Sequence, residues 1–224
     1  MDLSGQICNA AQMAISRLAL LAFAALSLGA TAPPQLALGT YTNEEDRYFT
    51  ADRGAAAVPD WMGVEVNEAN EWRSVDAFGK PLGEWHKQAL PVETRDGRIT
   101  VQAANGVTTE LRRARFFKCW IFSRRYAAKP DGSDDYINTF NLKLHDQGGR
   151  VQVSPEGAPS VLIRLRYVIW PPPSTNNPSL VLYIHRPDQP DHAVSYSWAD
   201  PKADRIGINL RWVQANCIRE VANP

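Results

Sequence analysis

Basic side chains recur at alternate positions in three segments of this chain, and that spacing suits anion chemistry. In Val161–Trp170, Ile163, Leu165, Tyr167 and Ile169 alternate with Arg164 and Arg166. Residues i and i+2 of a strand share a face, so the two arginines stand opposite the apolar set. In Ile137–His145, Phe140, Leu142 and Leu144 oppose Asn141, Lys143 and His145. In Ile206–Arg219, Ile206, Ile208, Leu210 and Trp212 oppose Asn209 and Arg211. If these strands are neighbours, Lys143, His145, Arg164, Arg166 and Arg211 form one cationic sheet face. Guanidinium forks match carboxylate, sulfate or phosphate oxygens in pairs. The expected ligand is therefore a small anion or an acidic glycan. The same pattern also describes the solvated side of a one-sided sheet.

Other groupings carry weaker chemistry. His185 and His192 bracket Asp188 and Asp191 in a turn-like segment, a set that resembles zinc or copper ligation and equally an exposed turn. Asp131, Ser133 and Asp135 alternate as in a calcium loop, but Tyr136 stands where glycine is required and Leu142 where glutamate is required. His145-Asp146 is a conceivable acid–base pair. The chain has no Gly-x-Ser-x-Gly elbow, no His-Glu-x-x-His pair and no phosphate-cradling glycine loop. No catalytic residue, cofactor or metal is assigned. Of the seven tryptophans, Trp61, Trp72, Trp85 and Trp198 fall near expected strand ends, where they could stack on a ligand. Trp120 and Trp212 read as core.

The elements that must position these residues are strands. From Trp61 onward, short alternating runs are separated by turn residues, with almost no helical period. Asn105-Gly106 between two such runs is a strong hairpin signal. About ten or eleven strands are expected. Their pattern predicts an all-β, antiparallel fold. Sequential hairpins favour an up-and-down barrel of the lipocalin-like kind, with a jelly-roll β-sandwich as the alternative. Residues 33–60 read as a lead-in, in which Thr42-Asn-Glu-Glu45 has capping-box spacing and opens a short helix through Phe49. Residues 61–224 form a single β domain.

The N-terminus carries an address. Arg17 precedes an uncharged apolar run from Leu18 to Leu28, followed by Gly29, Ala30, Thr31 and Ala32. Basic flank, apolar stretch and small residues make a secretory signal peptide over residues 1–32, with cleavage as late as residue 39. Met13 is an alternative start. The apolar run is too short to span a bilayer. Export sets the redox context, and Cys8 lies in the removed segment. Cys119 and Cys217 remain and are expected to pair, a closure worth about 4–5 kcal/mol in the chain-entropy model. Strand parity complicates that pairing. Cys119 shares a face with the apolar Phe117 and Ile121, whereas Cys217 counts back to Arg211 and Asn209. A core disulfide therefore requires a bulge or a break in pairing between Trp212 and Cys217.

With 24 basic and 24 acidic residues, the chain has no net charge, which argues against an electrostatic grip on nucleic acid or anionic lipid. The leading expectation is a periplasmic or secreted binding module for a small anion or glycan. The alternatives are an enzyme acting on envelope polysaccharide and an assembly protein of the envelope.

Overall fold

A computed structural model describes residues 36–95 and 98–220. The expected signal peptide, residues 1–32, lies outside the described residues. Among those described are fourteen strands and one helix: β1 (Gly39–Thr42), α1 (Glu44–Asp52), β2 (Gly63–Val66), β3 (Trp72–Ser74), β4 (Glu93–Arg95), β5 (Arg98–Gln102), β6 (Thr108–Arg113), β7 (Phe116–Arg124), β8 (Tyr136–His145), β9 (Gln147–Val153), β10 (Val161–Val168), β11 (Ser179–Arg186), β12 (Gln189–Ala199), β13 (Arg205–Asn209) and β14 (Val213–Arg219). No described helix is long and apolar enough to cross a membrane.

The fold is all-β and antiparallel, as the alternation predicts, but no sheet closes into the expected barrel. Three open sheets form instead, in the strand orders β3-β2-β1-β6-β5-β4, β12-β11-β10-β9 and β13-β14-β7-β8. The two four-stranded sheets share one buried cluster. Ile163, Leu165, Leu182 and Ile184 come from one sheet, and Phe117, Ile121 and Val213 from the other. Burying apolar faces of two sheets against each other is a sandwich-like solution. Each fully buried Leu or Ile contributes about 1.5–3 kcal/mol to it. The six-stranded sheet has its own core of Leu36, Tyr41, Val64, Val66, Val101 and Leu111 with Leu90 and Val92. There, the Asn105-Gly106 hairpin forms between β5 and β6, with Gly106 at φ +78°.

The helix begins close to its expected position. Its N-cap is Asn43 rather than Thr42, and Thr42 Oγ1 accepts the Glu44 N–H at 3.3 Å. The Asn43 side chain instead holds the Asp60–Met62 segment, accepting the Met62 N–H and donating to the Asp60 carbonyl, each at 2.7 Å. Phe49 packs on Val168 and Val181, which fixes the helix to the outer side of the β10–β11 pair.

Cys119 and Cys217 are directly opposed on β7 and β14, both fully buried and disulfide-bonded, with Cα atoms 4.0 Å apart. The parity conflict is resolved by a break in the last strand. Ile206–Arg219 is two strands, and the chain turns at Leu210–Trp212, just before the expected window. Ile206 faces the core on even positions, and Val213, Ala215 and Cys217 face it on odd ones. A second phase change corrects the reading of β8. Asn141 adopts φ +60°, and the β7–β8 register shifts between Cys119 and Ile121. Phe140 is thereby turned outward onto Phe122, away from Leu142 and Leu144. Trp120 lies half-buried on the side of β7 opposite Cys119 rather than in the core, while Trp212 packs against the sandwich core.

Candidate functional site

Arg164 and Arg166 do share the outer face of β10, but that face is covered. The first turn of α1 places Glu44 and Glu45 over it. Arg166 Nε and Nη2 donate to the two Glu45 carboxylate oxygens at 2.7 and 3.0 Å, and Arg164 Nη2 donates to Glu44. Arg166 is 2% exposed and Arg164 8%. The Tyr48 ring lies 3.9 Å from the Arg166 guanidinium, and Trp61 Nε1 donates to the second Glu44 oxygen at 2.9 Å. Pairing with Glu45 holds the Arg166 pKa above its ordinary value despite burial. These two arginines dock a helix. Nine residues make a marginal helix in isolation, and its attachment here rests on charge as much as on Phe49.

Next to this layer the chain crosses from the β8 edge of one sheet to the β9 edge of the other, through His145, Asp146 and Gln147. Thr42 Oγ1 donates to the Gln147 carbonyl at 2.9 Å. The crossover is tight because glycines follow it. A Cβ on Gly148, at φ +78°, would lie 2.3 Å from Glu44 Cγ. Gly148→Ala is therefore expected to cost at least about 2 kcal/mol, from the left-handed backbone and a displaced Glu44. At this chain length that is a fall in Tm of roughly 4–8 °C by calorimetry.

Asp146 and His145 do not form an acid–base pair. The Asp146 carboxylate, fully buried, accepts the Arg115 backbone N–H at 2.9 Å and a second hydrogen bond from Arg115 Nε. His145 is 5% exposed, and neither of its ring nitrogens has a hydrogen-bond partner. Burial lowers its pKa from 6.5 to about 4, against the pull of Glu44.

His145 lines a cleft of about 170 Å³ between the outer side of β7–β9 and the six-stranded sheet. Lys143 and Arg150 line it with His145. Lys143 lies 4.6 Å above the Phe116 ring and, among the described residues, has no carboxylate within 4.0 Å. Directly across β7 from it stands a second lysine, Lys118, and like charges opposed on neighbouring strands repel. Arg150 is likewise opposed to Arg164. Its Nε is buried with no acceptor among the described residues, and the one carboxylate within 4.0 Å among them is that of Asp191, largely in solvent. Glu65, also on the cleft wall, is held by Arg73 at 2.6 Å. The cleft thus gathers cationic and donor groups without matching acceptors.

Of the five residues expected to form one cationic face, Lys143 and His145 meet in this cleft. Arg164 and Arg166 are spent on the helix. Arg211 sits exposed in the β13–β14 turn and does not line the cleft. Sequence reasoning passed over Arg150. Its alternation with Val151 and Val153 is visible once β9 is started at Gln147.

The remaining groupings resolve into structure. Asp134 and Asp135 pair with Arg124 and Arg125, and Asp131 closes its own turn by accepting from Ser133. His185 is buried whereas His192 is exposed. No group of three metal-ligating side chains occurs among the described residues. Trp72 donates to the Gln88 carbonyl and stacks on His86, and Trp85 lies under Arg73. Trp198 differs: it is 49% exposed and stacks with Trp170 at 6.0 Å.

In comparisons with known proteins, the chain matches no protein-family model, no curated protein and no solved structure.

Proposed function

We propose that this protein is an exported binding module that takes a small anion in the Lys143–His145–Arg150 cleft. One observation carries the reading: Lys143 and Arg150 line one cleft, and among the described residues no carboxylate lies nearer to either than Asp191, 4.0 Å from Arg150. An anion seated between Lys143 and Arg150 would relieve the repulsion around both cations. His145, neutral near pH 7, offers one further N–H. Export is supported by the signal-peptide pattern and by the Cys119–Cys217 bond, which an oxidising compartment maintains. The location of Leu36 in the core of the six-stranded sheet, and the Tyr41 hydroxyl donating to the Ala37 carbonyl at 2.9 Å, favour processing after Ala32 over processing after Gly39.

The test is calorimetric titration of the purified protein with acetate, sulfate, phosphate and glucuronate at low ionic strength, beside the variant Lys143→Ala/Arg150→Ala. At least one anion should bind the native protein, and the variant should bind it at least tenfold more weakly. Failure of every anion, or equal binding by the variant, removes this reading. A glycan is the second reading, supported by the exposed Tyr196 and Trp198 rings on β12, the latter stacked on the half-buried Trp170. Exposed aromatic faces of this kind stack on sugar rings.

A further inference from the structure

The cleft has two chemically different sides, and together they describe more than a charge. We infer that its ligand is an amphipathic carboxylate, a single carboxylate on a short chain or one ring; this rests on the anion-binding reading above.

The apolar side is built from Val75, Phe78, Phe116 and Leu144. Phe78 is the informative member. It is 52% exposed at the tip of the Asp76–Lys80 turn. That turn is rigid. Asp76 Oδ1 accepts the N–H groups of Phe78 and Lys80 at 2.9 and 2.8 Å, and the Asp76 carbonyl accepts the Gly79 N–H at 2.9 Å. It is also tied to the cationic side, because the Arg150 N–H donates to the Ala77 carbonyl at 2.9 Å. An aromatic ring is therefore held over the cleft by the strand that supplies the cation. Across from it, Phe116 carries the Lys143 ammonium on its face and meets the His145 ring edge-on at 5.9 Å.

The balance of charge selects the head group. Lys143 and Arg150 supply two positive charges, Glu65 is neutralised by Arg73, and His145 is neutral near pH 7. An arginine fork takes carboxylate and phosphate alike, but a carboxylate loses less hydration on entering than a phosphate dianion does. The volume selects the body. About 170 Å³ is the share of roughly five or six waters at about 30 Å³ each, more than a bare carboxylate fills. A mineral anion would leave the Phe78–Phe116 wall in contact with water, whereas a short apolar body would cover it.

The experiment measures affinities of benzoate, acetate, sulfate and benzyl alcohol for the native protein, for Phe78→Ala and for Lys143→Ala/Arg150→Ala. Benzoate should bind the native protein roughly tenfold or more tightly than acetate, the factor expected from burying part of a ring. Benzyl alcohol, with the ring and no charge, should bind more weakly than benzoate. Phe78→Ala should cut the benzoate-to-acetate ratio severalfold, and the charge variant should weaken both anions. Phe78 is half exposed on a turn held by Asp76, so its removal leaves the fold intact. A benzoate affinity equal to or below that of acetate or sulfate overturns the inference and leaves anion binding standing. So does a ratio unmoved by Phe78→Ala. Silence of every anion on the native protein removes the inference together with the reading beneath it.

Discussion

Acidification from pH 7 to pH 5 is expected to remove about 4 kcal/mol of folding stability, a large part of the roughly 5–15 kcal/mol that holds a domain together. The source is two buried histidines. Burial lowers the pKa of both His145 and His185 from 6.5 to about 4. Glu44 pulls His145 the other way, while Arg164 and Arg150 push His185 further down and Asp191 opposes them. The sign follows from proton counting. Between about pH 6.5 and pH 4 the unfolded chain holds protons on these rings that the folded chain does not. Stability therefore rises with pH through that window and is lost on acidification. Each ring contributes about 2 kcal/mol between pH 7 and pH 5, and both together about 4. Asp146 and Glu45, whose pKa values are raised by burial, bind their protons more readily when folded and oppose the trend. Urea unfolding at pH 7, 6 and 5 measures the slope. His145→Gln and His185→Gln should each remove about half of it. A midpoint that stays level from pH 7 to pH 5 would show that these rings are not desolvated as described.

Arg166→Met should destabilise the protein by about 3–5 kcal/mol, because it strands the Glu45 carboxylate in the interior without its partner. Glu45 is 1% exposed, and both of its oxygens accept from Arg166 alone among the described hydrogen bonds. The methionine fills the space of the arginine stem and gives up the guanidinium contact with Tyr48, so most of the loss is electrostatic. The double variant Arg166→Met/Glu45→Leu separates the two contributions. Replacing a buried pair by apolar residues of similar size is often neutral or better, so the double variant should recover most of the lost stability. Denaturant midpoints of the native protein and the two variants decide it. A double variant as unstable as the single one would mean that the arginine supports the helix by shape rather than by charge.

The alternation along β10 placed Arg164 and Arg166 on one face from sequence alone, and the structure keeps them there. What covers that face was hidden. Parity assigns a side of the sheet but not its occupant, and the occupant is a helix about 120 residues earlier in the chain. The acidic first turn of that helix was visible as Thr42-Asn-Glu-Glu45, with nothing local to say that its carboxylates turn inward. The same limit governs the expected cationic cluster. Lys143 and His145 stay together because they are neighbours on one strand face. Arg211 leaves because the chain turns at Leu210–Trp212, and a one-residue change of phase reverses every later side chain.

Barrel against sandwich fell in the same category. Strand existence and antiparallel character follow from local period and turn residues. Closure depends on which edges meet, and at Asp146 the chain leaves the β8 edge of one sheet to become the β9 edge of the other. The cysteines mark the boundary most clearly. Composition and the expected export signal named Cys119 and Cys217 as partners, and parity showed that the last segment must lose its phase to let them meet. Only the tertiary structure decided where, because a turn between β13 and β14 is set by which neighbour each strand pairs with. The cleft belongs wholly to that second kind of information. Lys143, His145, Arg150 and Phe78 come from three separate segments, and their meeting is a consequence of packing one sheet against the seam between two others.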